Sequence, residues 1–159
     1  NDFSKYIKLL DIDNARERFL TKNEIKVLFE NSKNDETLFL LFNLALKTGG
    51  RLETLLSIQK KDIDFTHSLL TLKDFKNNST YKAFLTDDLK VLLEKRVNDL
   101  KMNDKLFTSN PERRLRKVLD ELFNDGIEFT DRKNKIVFHY SHCVVKHFRL
   151  MAVLGLPLQ

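Results

Sequence analysis

The hydrophobic positions of the first third of the chain repeat at helical spacing. The stretch TKNE, residues 21–24, has the form of a capping box, in which a threonine and a glutamate three positions later bind each other's backbone amides. Apolar residues at positions 25, 28 and 29 follow, and a nearly continuous apolar run begins at Asp35 and ends at TGG, residues 48–50. The pattern predicts an amphipathic helix, a buried helix that stops at glycines, and a short helix over RLETLLSI, residues 51–58.

The pattern changes in the middle of the chain, where short apolar runs alternate with polar residues. SLLTLKDF (68–75) and YKAFLT (81–86) have the composition of β-strands, and the polar stretch KNNS (76–79) separates them. This arrangement predicts a β-hairpin.

Helical spacing returns in the second half. Thr86 is predicted to cap a helix with apolar positions at Leu89, Leu92, Leu93, Val97 and Leu100. Pro111 is predicted to open another that ends at Asp125-Gly126, with apolar positions at Leu115, Val118, Leu119, Leu122 and Phe123. KIVF (135–138) is β-like, and a last helix is predicted up to Gly155. The expected fold is α+β: mostly α-helical, with a small antiparallel β-sheet. Residues 1–17 are a predicted linker and residues 18–159 a single domain.

Composition narrows the class of protein only slightly. A chain of 159 residues with 42% hydrophobic residues and 13 phenylalanines is typical of one folded domain. The net charge of +5 permits a polyanionic partner without requiring one. The single cysteine excludes an intrachain disulfide and suits a reducing cytoplasm, and no apolar run reaches transmembrane length. Because the first residue is Asn rather than Met, we expect the chain to be a fragment.

The stretch FHYSHCVVKHFRLMAVLG (138–155) holds three of the four histidines and the only cysteine. Its candidate metal ligands are His139, His142, Cys143 and His147. One helix rarely supplies a full tetrahedral set, and the remaining histidine, His67, lies in a predicted turn. We therefore predict no metal site. A phosphate-binding helix face and a plain polar helix face both remain open for this stretch.

The stretch KTGGRLETLLSIQKKDID (47–64) carries the most specific pattern. Arg51 follows a glycine-terminated buried helix, and Asp62 lies eleven residues further on. A guanidinium held at a fixed turn can bind two oxygens of one phosphate. A local salt bridge is the alternative role for this arginine.

This stretch resembles the first arginine motif of the tyrosine recombinases, the DNA strand-transfer enzymes of phage-integrase and Xer type. Their pattern is TG-x-R-x-x-E-L-x-x-L followed by D-I. We match it to Thr48, Gly49, Arg51, Glu53, Leu55, Ile58, Asp62 and Ile63. The resemblance implies a mostly helical catalytic domain that breaks and rejoins DNA without a metal or other cofactor.

The resemblance also implies roles for individual residues. Arg51 would bind the scissile phosphate, and Lys76 in the hairpin turn would protonate the leaving 5′ oxygen. Lys73 is the neighbouring alternative to Lys76, and a solvated turn lysine with no catalytic role is the other. His139 would assist as an acid or base.

The C-terminal stretch departs from the family pattern. In the register that starts at His139, the family's second arginine is replaced by His142. A second register places Lys146 at that arginine but loses the first histidine. None of the three tyrosines, Tyr6, Tyr81 and Tyr140, matches the nucleophile, so we expect this chain alone not to cleave DNA.

The basic run PERRLRK (111–117) is a further candidate for contacts with DNA. Arg113 and Arg114 would follow the phosphate backbone, although a solvated helix face explains the run equally well. The expected partner is double-stranded DNA, with self-association on DNA in the full-length parent, a cytoplasmic location and no membrane. A non-catalytic DNA-binding relative that kept the fold is the alternative function.

Overall fold

The chain folds into five helices and a three-stranded antiparallel sheet within the residues that the structure describes. The structure is a computed structural model and describes residues 18, 20–128, 130–131 and 133–138. The helices are α1 (Lys22–Ser32), α2 (Glu36–Thr48), α3 (Leu52–Leu56), α4 (Asp87–Val97) and α5 (Glu112–Phe123). The strands are β1 (Ile63–Asp64), β2 (Leu69–Asp74) and β3 (Ser79–Phe84), and a 3-10 turn spans Lys60–Asp62. The predicted α+β class, mostly helical with a small sheet, is confirmed.

The first two helices begin and end where the sequence signals lie. Thr21 accepts a hydrogen bond from the amide of Glu24, whose side chain accepts one from the Thr21 amide, so the capping box is present. Asp35 caps α2 by accepting from two backbone amides. Gly49 ends α2 in the left-handed conformation with φ of 70°, which glycine adopts without strain.

The sheet has the order β1-β2-β3, and β2 and β3 form the predicted hairpin. Leu70 and Leu72 are buried, and their partners across the hairpin are Ala83 and Tyr81. Because side chains alternate along a strand, Asp74 continues the inner face of β2, whereas Lys73 lies on the outer face. The hairpin is shifted from its prediction, since the turn is residues 75–78. Strand β1 was not predicted.

Helices α4 and α5 complete one hydrophobic core with α2 and the sheet. Their buried positions are Leu89, Leu93, Val97, Leu115, Leu119 and Phe123, which the apolar spacing predicts. Thr86 does precede α4 as expected. However, its hydroxyl binds the Asp88 carboxylate instead of capping a helix amide, so that part of the prediction is wrong.

The predicted β-like segment KIVF is not a strand. The side chain of Asn124 binds both the amide and the carbonyl of Ile136 at 2.7 and 2.8 Å, taking the place of a neighbouring strand. Ile136 and Phe138 are buried, and the Phe138 ring packs against Phe42 of α2. Burial rather than strand pairing explains why these four residues are apolar.

Two predictions lie outside the described residues: the linker over residues 1–17 and the last helix up to Gly155. Among the helices that are described, none is both long and apolar enough to cross a membrane.

Candidate functional site

Arg51 lies at the junction between the glycine-ended helix α2 and the short helix α3. Its backbone is extended, with φ of −68° and ψ of 156°, and α3 starts at the next residue. Gly50 packs so tightly against Leu55 that an added Cβ would lie 2.4 Å from the Leu55 Cδ2 atom. Leu55 is fully buried, so the backbone that carries Arg51 is fixed by the core. The Arg51 side chain remains 37% exposed.

The Arg51 guanidinium is held by Asp74 at the end of β2. Its Nη1 atom donates to Asp74 Oδ1 at 2.7 Å. The same oxygen accepts from the Lys76 amide at 3.1 Å, and Asp74 Oδ2 accepts from the Asn77 side chain at 2.7 Å. One carboxylate therefore joins the arginine motif to the hairpin turn.

The Asp74 carboxylate is stabilised in its ionised form. Partial desolvation raises the pKa of Asp74, but the hydrogen bonds from Asn77, Arg51 and the Lys76 amide lower it by more. The net result is a pKa below the usual value of an aspartate. At neutral pH, Asp74 therefore presents a negative charge to Arg51.

The two candidate lysines of the hairpin occupy different positions. Lys76 is exposed in the turn, two residues after Asp74, which holds Arg51. Lys73 is also exposed, but it lies on the outer face of β2, and its backbone carbonyl accepts a hydrogen bond from Thr54 of α3 at 2.8 Å. The structure thus links the Arg51 side chain to the backbone of Lys76 and not to the side chain of Lys73.

A cleft of about 460 Å³ opens beside Arg51. Helix α3 forms one wall, the half-exposed ring of Phe75 in the hairpin turn contributes another, and the segment from Lys105 to Glu112 closes it. Arg51 and Lys105 supply positive charge, while Glu53 and Glu112 supply negative charge. The lining of the cleft is therefore mixed in charge.

The remaining motif residues are mainly structural. Leu55, Ile58 and Ile63 belong to the core. Asp62 accepts a hydrogen bond from the Gln59 amide at 2.9 Å and so caps the 3-10 turn.

The match of Glu53 to the glutamate of the family pattern TG-x-R-x-x-E is wrong by one position. The third position after Arg51 is Thr54, and Glu53 lies one position earlier. Thr54 is buried and binds the hairpin, whereas Glu53 is exposed in the cleft. Sequence reasoning also missed Asp74, although an acidic residue on the inner face of a predicted strand is a usable signal.

Most of the basic run on α5 is neutralised within the domain. Arg114 pairs with Asp35, the residue that caps α2. Arg116 and Lys117 pair with acidic residues one helical turn away. Arg113 is exposed and has no ion pair with the described part of the chain.

Several candidates lie outside the described residues: His139, His142, Lys146 and the tyrosines Tyr6 and Tyr140. Within residues 18–138, as far as they are described, no group of three or more His, Cys, Asp or Glu side chains is placed to hold a metal ion. Tyr81 is half-buried on β3 and packs against the core, which is a structural position. His67 lies in the turn after β1, as predicted, and contacts Asp64.

Comparison with protein families gives a match to the phage integrase family over residues 18–140. Among curated proteins, the tyrosine recombinase XerA of Saccharolobus solfataricus is 40% identical over 68 residues. That alignment covers 43% of this chain and 23% of the relative, so the chain spans about a quarter of its length.

Solved structures show the same fold. A crystal structure of XerA recombinase superposes with a TM-score of 0.64 at 18% identity, covering 94% of this chain and 54% of that one. The Tn1549 transposon integrase, solved with transposon right end DNA, gives a TM-score of 0.66 at 13% identity, covering 99% of this chain and 59% of that one. The catalytic domain of bacteriophage HP1 integrase gives a TM-score of 0.61 at 17% identity, covering 88% of this chain and 81% of that one.

Proposed function

Because the chain belongs to the phage integrase family, we propose that it is part of a tyrosine recombinase that breaks and rejoins DNA at specific sites. The observation that carries this proposal is the position of Arg51. Its backbone is fixed between two helices, and its partly exposed side chain binds Asp74 next to the hairpin turn and lines an open cleft. A solved relative is bound to transposon end DNA, which supports double-stranded DNA as the partner.

Arg51 serves as the phosphate ligand in this proposal. Only one of its donor atoms is engaged by Asp74, and no other hydrogen bond of its guanidinium to the described residues is present. The planar guanidinium offers five N–H donors, so donors remain for two phosphate oxygens. Charge that develops on the phosphate in the transition state would be offset there.

Lys76 is the proposed general acid. In the reaction, a tyrosine oxygen attacks the backbone phosphate and forms a 3′-phosphotyrosyl link, while the bond to the 5′ oxygen breaks. Lys76 would give its proton to that departing oxygen, and His139 would assist as an acid or base. Reversal by the 5′-hydroxyl of a partner strand restores the phosphodiester. The bond energy is conserved in the covalent link, so no nucleotide cofactor is required.

The nucleophile is the missing element of this assignment. Tyr81 is half-buried and packs against the core, and neither Tyr6 nor Tyr140 matches the nucleophile by sequence. We therefore propose that this chain binds DNA but does not cleave it alone. The second candidate function, a DNA-binding relative without catalytic activity, rests on this observation and on His142 at the position of the second arginine.

Replacing Arg51 tests the phosphate ligand. We expect Arg51→Ala to weaken binding of a short fluorescent DNA duplex and to make the dependence of log affinity on log salt shallower by about 1, as for one lost phosphate contact. The free energy of unfolding should fall by no more than about 1 kcal/mol, since the ion pair with Asp74 is partly exposed. Fluorescence anisotropy and urea denaturation measure the two quantities.

Two variants control this experiment. Arg51→Lys keeps the charge but loses the guanidinium geometry, and it should bind DNA less tightly than the wild type with a similar salt dependence. Lys33→Ala removes an exposed positive charge directly after the end of α1 and should leave affinity almost unchanged. An Arg51→Ala protein that binds DNA normally but melts several degrees lower would assign Arg51 a structural role instead.

A DNA substrate nicked near the cleavage site separates the two candidate functions. Such a substrate traps the phosphotyrosyl product, because the cleaved end diffuses away. We expect no covalent adduct on a denaturing gel with this chain alone. An adduct would refute both the inactivity of this chain and the non-catalytic alternative.

A further inference from the structure

Asp74 is the residue near Arg51 that the arginine motif does not account for. It is the last residue of β2, and its side chain is only 15% exposed although it ends a strand next to a solvent-exposed turn. Its two oxygens accept three hydrogen bonds, from the Arg51 side chain, the Lys76 amide and the Asn77 side chain. Two of these bonds come from the turn next to Asp74 and one from Arg51, so the carboxylate joins two separate parts of the chain.

The origin of these bonds indicates that the turn fixes the Asp74 carboxylate and that the carboxylate orients Arg51. The Lys76 amide and Asn77 belong to the same turn as Asp74, so they fix the carboxylate whether or not Arg51 is present. Arg51 comes from a different part of the fold, 23 residues earlier, and is bound through one nitrogen only. The carboxylate is therefore a fixed point that orients a long side chain and leaves its other donors free.

From this geometry we propose that Asp74 is a positioning residue of the phosphate site, which orients Arg51 and couples it to the turn that carries Lys76. The inference rests on the proposed function of Arg51 as the phosphate ligand. A long arginine side chain loses considerable rotamer freedom on binding a ligand. A side chain that is already oriented loses less, so pre-orientation strengthens binding even though Asp74 adds a negative charge nearby.

Removal of Asp74 could raise or lower the affinity for DNA, and the direction of the change tests the proposal. If Asp74 only competed with the phosphate, its removal would free Arg51 and increase the affinity for DNA. If Asp74 orients Arg51, its removal should reduce the affinity and do so only when Arg51 is present. We expect orientation to dominate, because two hydrogen bonds from its own turn hold the carboxylate in place and Arg51 keeps donors for a phosphate.

The test is a double-mutant cycle on binding of a short fluorescent DNA duplex by the full chain. Asp74→Ala should weaken binding by about threefold to tenfold, and the same change in an Arg51→Ala background should have no further effect. Asp74→Asn retains an oxygen that can accept from Arg51 and the Lys76 amide, so it should bind within about twofold of the wild type. Asp64→Ala is the matched control, since Asp64 also accepts from a turn amide of this sheet but contacts no arginine.

A local spectroscopic measurement shows whether orientation is the cause. In NMR spectra of the ¹⁵N-labelled chain, hindered rotation of the Arg51 guanidinium should be detectable in the wild type and in Asp74→Asn, and lost in Asp74→Ala. Folding of each variant is checked by the dispersion of its amide spectrum. An alanine variant that fails this check is replaced by Asp74→Ser, for which the same loss is expected.

The outcomes distinguish this inference from the proposed function. Tighter DNA binding by Asp74→Ala, or an equal effect with and without Arg51, would overturn the positioning role while leaving Arg51 as the phosphate ligand. Normal DNA binding by Arg51→Ala would instead overturn the proposed function itself. The inference is supported if Asp74→Ala weakens DNA binding only when Arg51 is present and Asp74→Asn binds nearly as well as the wild type.

Discussion

At the scale of single residues, the position of Arg51 depends on the glycine before it. Gly50 lies against Leu55, which is fully buried, and its amide binds the Thr48 hydroxyl at 3.1 Å. The Thr48 hydroxyl in turn donates to the Leu44 carbonyl of α2. The residues around Arg51 thus fit closely against the end of α2 and the core, leaving no room for a side chain at position 50.

Gly50→Ala is expected to destabilise the domain by steric overlap. An added Cβ would lie 2.4 Å from Leu55 Cδ2 and 3.0 Å from Leu55 Cγ, so the fully buried leucine would have to shift within the core. We expect the free energy of unfolding to fall by about 1 to 3 kcal/mol, as for other overpacked cores. Urea denaturation measures it.

Gly126→Ala is the informative comparison for this change. Its Cβ would meet nothing within 4 Å, but its φ of +72° disfavours alanine, so we expect a loss of about 1 kcal/mol from the backbone alone. A double variant tests whether overlap with Leu55 is the cause. Combining Gly50→Ala with Leu55→Val should recover part of the loss in the free energy of unfolding. If the loss in the double variant equals the sum of the losses in the two single variants, overlap with Leu55 is not the cause.

At the scale of elements, the start of α1 is held by more than its own capping box. Glu24 accepts from the Thr21 amide at 2.7 Å and also from the Arg18 guanidinium at 2.8 Å. Arg18 in turn donates to the Phe123 carbonyl at the end of α5. A local helix signal is thereby connected to the distant end of another helix.

These contacts predict a specific dependence of stability on pH. Partial burial raises the pKa of Glu24, but hydrogen bonds from Thr21 and Arg18 outweigh it and bring the pKa below its usual value. A lowered pKa means that the ionised carboxylate contributes stability above its unfolded-state pKa of about 4.3, and that this contribution is lost as pH falls through the folded-state pKa. Glu24→Gln should therefore lose about 1 kcal/mol at neutral pH and progressively less in acid.

The measurement is the free energy of unfolding of wild type and variant across the acidic range. Glu30→Gln removes a carboxylate from the same helix where both partners of the ion pair are exposed, so it should change stability little at any pH. A wild-type advantage over Glu24→Gln that stays constant down to strong acid would contradict the assignment.

At the scale of the whole molecule, the segment after α5 closes the core through one buried side chain. Asn124 is 6% exposed and binds both backbone groups of Ile136, which is itself 1% exposed. Phe138 then packs against Phe42, far back in the sequence. Asn124 performs for this segment the hydrogen bonding that a neighbouring strand would otherwise provide.

Asn124→Ala should destabilise the whole domain rather than this segment alone. It leaves the buried amide and carbonyl of Ile136 without partners, for which we expect a loss of about 2 to 3 kcal/mol. Thermal and urea unfolding monitored at several wavelengths measure this loss. Asn98→Ala is the control, because Asn98 is exposed and its side chain binds only the neighbouring Asp99. Equal stability of the two variants would show that solvent satisfies Ile136.

Most local signals in the sequence were reliable because they act over a few residues, although the Thr86 side chain does not cap α4 as predicted. A capping threonine and a left-handed glycine act within a few residues, and Thr21 and Gly49 do what their positions predicted. Apolar residues at helical spacing likewise mark the faces of α4 and α5 that pack into the core. The helical fold with its hairpin, and the family resemblance around Arg51, were therefore available from the sequence.

Only the tertiary structure decided which polar side chains meet. Asp74 binds Arg51 from 23 residues away, and Thr54 rather than Glu53 contacts the hairpin. Asn124 supplies the backbone hydrogen bonds of KIVF, which was predicted to be β-like. Arg114, a candidate for contact with DNA, also pairs with Asp35 across the fold. Such contacts have no sequence period, because they depend on how helices and strands pack together. The sequence alone determined the elements and the candidate arginine, and the packing determined what surrounds it.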